Sequence, residues 1–118
     1  MTEYVRKKGT REPVKVDAGR GVSMQVLISG EEAPNFAFRK FAIEPEGYMP
    51  KHTNLVEHEQ YVLKGSAILE IKDEVHDVAV GDSVYIPEQV PHSYKAGNDG
   101  FEFICVVPNR EDRIEMAE

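Results

Sequence analysis

The chain has 118 residues, of which 41% are hydrophobic and 30% charged, and its formal net charge is -7. That length suits one domain, and the composition is that of a globular chain rather than a disordered one. The only basic cluster, Lys7, Lys8 and Arg11, is followed by Glu12 and Asp17, so neither nucleic acid nor an anionic membrane surface is an expected partner.

Residues 1–20 read as irregular or edge-like, with no apolar signal core, and no run approaches the roughly 18 apolar residues of a membrane span. With Cys105 the single cysteine, no intrachain disulfide is available. A cytoplasmic protein is the expectation. From residue 24 onward, short apolar runs alternate with Gly, Pro, Asn and Asp, the pattern of many short strands in a sandwich or barrel. The predicted strands are 24–29, 36–44, 51–54, 58–64, 66–72, 75–80, 83–86, 92–96 and 101–107. The predicted turns include Pro45–Pro50, Gly65 and Gly97–Gly100. Residues 108–118 form a polar tail with room for one helical turn. One domain is expected over 1–118, with its barrel core at about 24–107.

Side chains alternate between the two faces of a strand. His52 therefore shares a face with Asn54, His58 with Gln60 and Val62, and His92 with Tyr94. If these strands line one barrel, three imidazoles converge. Neutral imidazole is the commonest protein ligand for first-row divalent metals, and a three-ligand site keeps positions open for water, oxygen or substrate. If His58 points inward, Glu57 and Glu59 point outward, and no inward-facing Asp or Glu is evident beside the histidines. His76, in the polar stretch DEVHDVAV, reads as a surface residue.

The segment Gly47–Gly65, GYMPKHTNLVEHEQYVLKG, resembles the first motif of the cupin family, and Gly81–His92, GDSVYIPEQVPH, resembles the second. The resemblance implies an all-β jelly-roll barrel (a double-stranded β-helix) with a divalent transition metal, Mn or Fe, or else Zn, Ni or Cu. The implied ligands are His52, His58, His92 and Asn54. Two positions depart from the family pattern: Asn54 stands for the second histidine of the first motif, and His58 stands for its acidic ligand. With EEAPNF near the start of the region, this is similar to manganese-binding small cupins with four histidines, one of which is Asn54 here.

In this reading Arg39, Gln60 and Tyr94 are substrate-orienting groups beside the metal, and Phe41, Met49, Phe103 and Cys105 line the cavity wall. Arg39 also admits a salt-bridged or edge-exposed reading, and Cys105 that of a buried small hydrophobe. The expected partner is a small organic substrate. The activity implied first is a metal-dependent oxygenase of the dioxygenase kind; a non-catalytic small-molecule-binding or storage protein and a sugar isomerase or epimerase are the alternatives. Strands 36–43 and 61–63 are apolar on both faces (Phe36, Phe38, Tyr61, Leu63), so a homodimer is expected to cover the outer one.

Overall fold

The computed structural model describes residues 3–117. Among them are eight strands and no helix: β1 (Val14–Lys15), β2 (Arg20–Ile28), β3 (Phe36–Asn54), β4 (His58–Ile71), β5 (Glu74–Ala79), β6 (Ser83–Ile86), β7 (His92–Pro108) and β8 (Ile114–Met116). Among the described residues no helix is long and apolar enough to cross a membrane. The strands pair antiparallel in the order β1-β2-β3-β7-β4-β5, with β6 also on β4 and β8 on β3. The protein has the all-β jelly-roll fold that the motifs imply.

Three pairs of predicted strands are single strands with a bend inside. Segments 36–44 and 51–54 join as β3, 58–64 and 66–72 as β4, and 92–96 and 101–107 as β7. The expected turns at Pro45–Pro50, Gly65 and Gly97–Gly100 are therefore corners within strands. Pro45 and Pro50 lack the N–H that a regular ladder needs. The register of β3 against β7 accordingly shifts between Ile43 and Tyr48 and again between Met49 and His52.

The three corners stack on neighbouring strands. Gly65 of β4 has φ +76 and lies so close to Gly100 that any side chain would enter the Gly100 carbonyl. A Cβ on Gly100, at φ +79, would in turn stand 3.0 Å from the Ile43 carbonyl oxygen. Only glycine tolerates both the positive φ and the close approach. Stacked corners fold the sheet over on itself, so its inner faces enclose one core.

Alternation on each side of the corners, with its parity switched across them, fills that core. Along β4, His58, Gln60, Val62, Ala67 and Leu69 are buried; along β7, His92, Tyr94, Ala96, Phe101, Phe103, Cys105 and Val107 are. A fully buried side chain such as Leu69 or Val62 contributes about 1.5–3 kcal/mol. One end of the core is apolar. The other end carries the buried polar residues His52, Asn54, His58, Gln60 and His92.

Residues 14–15, in the stretch expected to be irregular or edge-like, form β1 at the edge of the sheet, while β2 begins at Arg20 rather than at residue 24. The helical turn expected in the C-terminal tail is not formed: residues 114–116 are β8, paired to Asn54–His52 of β3. The polar side chains there hid a strand of three residues, too short to show an alternation.

Candidate metal centre

β3 and β7 place His52 directly opposite His92, with ring centroids 4.3 Å apart. His58 opens β4, paired to Ile86 of β6, and reaches the same space from the other half of the folded sheet, 6.1 Å from the His92 ring. All three rings are buried. His52 Nδ1 bonds the Pro50 carbonyl and His92 Nδ1 the Val90 carbonyl, each at 2.9 Å. A carbonyl only accepts, so Nδ1 carries the proton in both rings and the Nε2 lone pair is left free.

His58 has a different partner. Its Nδ1 is 3.2 Å from Cys105 Sγ. The guanidinium of Arg39 and the amide of Gln60 also direct N–H groups at that sulfur, at 3.9 and 4.0 Å. With His58 Nδ1–H as the third donor to that sulfur, its Nε2 is left bare as well. His58 Nε2 and Asn54 Oδ1 are both buried without a hydrogen-bond partner.

Burial, more than any other cause, lowers the proton affinity of all three rings. His58 falls to about 3, with the positive charge of Arg39 adding to the effect, and His92 to about 4; His52 is also lowered, against a partial opposing pull from Pro50 and Asp112. Near neutral pH the rings are uncharged, which is the metal-ligating form. As the side chains stand, no group of three or more His, Cys, Asp or Glu among the described residues is closed tightly enough to hold an ion. The donor set nevertheless fits one. Three neutral imidazoles present free Nε2 atoms to one cavity, that of His58 buried and unpartnered, and the orphaned Asn54 Oδ1 lies among them. An unsatisfied buried polar atom costs about 1–3 kcal/mol, which coordination would offset.

The cavity measures about 420 Å³, a size suited to a small organic molecule. Phe41, Met49, Phe103 and Tyr94 line it, with Phe41 and Tyr94 stacked on Phe103 at 5.2 and 5.3 Å. Gln60 Nε2 donates to the Tyr94 oxygen at 2.7 Å, which leaves the phenol proton for an acceptor in the cavity. Burial holds that phenol well above its usual range, so it stays protonated. A cleft of about 570 Å³ beside Lys15, Glu44, Lys64 and Asp99 is larger, but it is more open and contains no histidine.

Most expected site residues meet here, with two differences. Arg39 is among those that meet: it lines the cavity, lies 5.3 Å over the Phe41 ring and meets no carboxylate among the described residues, so the salt-bridged or edge-exposed alternative does not hold. Cys105 is fully buried behind His58 and does not line the cavity. Sequence reasoning also missed Asp112, the only carboxylate on the wall among the described residues, which the C-terminal segment delivers with Arg113 and Ile114. Its one sequence signal was position, an acid just before a short apolar-polar-apolar run. His76 is exposed, bonded to Glu74, and Glu59 points outward, both as expected. Glu59 is held up to about 7 by desolvation and by neighbouring Glu57.

No curated protein matches the chain. Among solved structures, the polyketide cyclase RemF from Streptomyces resistomycificus is 26% identical, with a TM-score of 0.86 over 100% of this chain and 87% of that one. A cupin 2 conserved barrel domain protein from Rhodopseudomonas palustris is 27% identical, at 0.80 over 92% and 77%. A variant of oxalate decarboxylase from Bacillus subtilis is 25% identical, at 0.73 over 84% of this chain but only 27% of its own. A family model described as "Cupin domain" matches residues 39–107, a span that takes in all three ring-bearing segments and both sides of the corners that fold the sheet. This chain belongs to the cupin domain family.

Proposed function

We propose that this cupin is a metal-dependent enzyme acting on a small, flat, oxygen-bearing organic molecule. His52, His58 and His92 hold one divalent first-row ion, Mn or Fe ahead of Zn, Ni or Cu, with Asn54 at its edge. One observation carries the reading: three buried neutral imidazoles from separate segments keep Nδ1 occupied and Nε2 free on one cavity. Such an ion, when bound, supplies Lewis-acid polarisation of a substrate oxygen and, if redox-active, oxygenase chemistry. Arg39 has donors with no oxygen partner, suited to an enolate, phenolate or carboxylate of the substrate. Tyr94, steadied by Gln60, donates to a second substrate oxygen, and Phe41, Met49 and Phe103 sandwich an apolar ring system and keep water out.

Dioxygenase-like turnover is the first reaction class. A non-oxidative ring closure of an enolisable chain is the second, favoured by the aromatic wall and by the 26% identity with a protein described as a polyketide cyclase. Sugar isomerisation fits the apolar wall less well, although the base it would call for is present as Asp112.

The test is metal analysis of protein purified without added metal, run beside His58→Ala. Close to one ion per chain is expected in the parent and little in the variant, with the circular dichroism of a folded barrel in both. Full occupancy in His58→Ala would overturn the ligand assignment. Oxygen uptake on adding enolic or phenolic compounds then separates the oxygenase from the cyclase class, and tight ligand binding without turnover of any compound would favour a storage role.

A further inference from the structure

We infer that Asp112 is the fourth protein ligand of the metal centre, carried into place by the C-terminal strand; this rests on the three-histidine reading above. Asp112 Oδ2 lies 4.0 Å from His58 Nε2. Two ligands each about 2.0–2.2 Å from one ion stand roughly 3–4 Å apart, so the carboxylate and the imidazole are spaced as partners on a shared metal. The acid is the only one on the cavity wall among the described residues. Three neutral imidazoles bring no negative charge to a buried dication, and a carboxylate offsets part of it.

The side chain is held with one oxygen anchored and the other presented. Asp112 Oδ1 accepts from the backbone N–H groups of Leu55, at 2.8 Å, and Arg113, at 2.9 Å. Oδ2 meets only the Asn54 amide, Nδ2 donating at a longer 3.3 Å. Asn54 thus orients the carboxylate and turns its own Oδ1, unpartnered and buried, toward the same space. The motif acid absent from the His58 position is replaced from the far end of the chain.

Delivery depends on β8. Its residues pair with the stretch of β3 that holds two of the site residues: Met116 opposite His52, Glu115 opposite Thr53 and Ile114 opposite Asn54. The Ala117 N–H continues the contact to the Lys51 carbonyl at 3.0 Å. Metal binding and docking of this strand are therefore coupled: the ion holds Asp112, and Asp112 holds the strand against the site's edge.

The experiment titrates the full chain with Mn2+ by calorimetry and follows hydrogen exchange of residues 112–117 with and without the ion. The unsubstituted protein is expected to bind Mn2+ and to slow exchange across 114–116 when it does. Asp112→Asn keeps the shape and is expected to weaken binding at least about tenfold and to abolish that slowing. Asp112→Glu should recover part of the affinity, and circular dichroism reports that each variant is folded. Asp112→Asn binding as tightly as the parent, with His58→Ala binding none, would overturn this inference and leave the three-histidine site standing. Unaltered exchange at 114–116 on metal binding would overturn the coupling. No binding by the unsubstituted protein would overturn both readings together.

Discussion

Replacing Cys105 tests whether a buried thiol holds a metal ligand in place. The sulfur has no solvent exposure, and it occupies for His58 the role that backbone carbonyls play for His52 and His92. Cys105→Ala leaves the His58 Nδ1–H in a dry site without an acceptor, a loss of about 1–3 kcal/mol. The vacated sulfur volume adds roughly 0.5 kcal/mol at about 24 cal/mol per Å³. Without added metal, the melting temperature should fall by roughly 5–15 °C. Freeing a ligand's outer hydrogen bond weakens metal binding about 10–100-fold, or roughly 1.4–2.7 kcal/mol, which matches the size of the lost bond.

Packing and positioning are separated by two further variants. Cys105→Val refills the space without an acceptor, so it should recover only the packing part of the stability, roughly 0.5 kcal/mol, and none of the affinity; Cys105→Ser keeps an acceptor and should recover affinity. The readouts are thermal unfolding of the metal-free protein and competition against a chelator. Parent-like affinity in Cys105→Val would refute the argument, because it would reduce the thiol to filler.

Three more outcomes follow from the same structure. The lowered proton affinities of His58 and His92 predict that metal is retained as pH drops below 6.5 and is released as it nears about 4 and then about 3; release near 6.5 in a pH-stepped chelator assay would contradict their burial. The sign is the same for the metal-free fold. Unfolded imidazoles take up protons first, so stability is full above 6.5 and declines as pH falls toward about 3, readable as a falling denaturant midpoint. Gly65→Ala should cost at least about 2 kcal/mol from positive φ and collision with the Gly100 carbonyl, and a parent-like denaturation midpoint would remove the stacked-corner account. Finally, Phe36, Tyr61 and Tyr85 remain 50–60% exposed on the outer sheet face. A homodimer is expected to cover them, and Tyr61→Lys should shift light-scattering mass toward one chain; a parent that is already monomeric would end that expectation.

Much of the candidate centre was legible in the chain itself. Two-residue alternation assigned His52, Asn54, His58, Gln60, His92 and Tyr94 to inward faces, and all six are buried. Periodicity survives because a half-buried strand must send its apolar and polar residues to opposite sides. The same local rule misread the corners, since proline and glycine mark a bend within a strand and a turn between strands with one signal.

Tertiary structure alone decided which distant segments meet. Asp112 stands 58 residues beyond Asn54, and Cys105 stands 47 beyond His58, separations over which no local pattern carries information. Arg39 reaches the cavity because β3 pairs with β7, not because of its apolar neighbours in sequence. Residue order alone specified which side each strand turns to the interior; closure of the sheet chose the carboxylate, the thiol and the guanidinium that share that interior, because only contact in space brings their charges and lone pairs together.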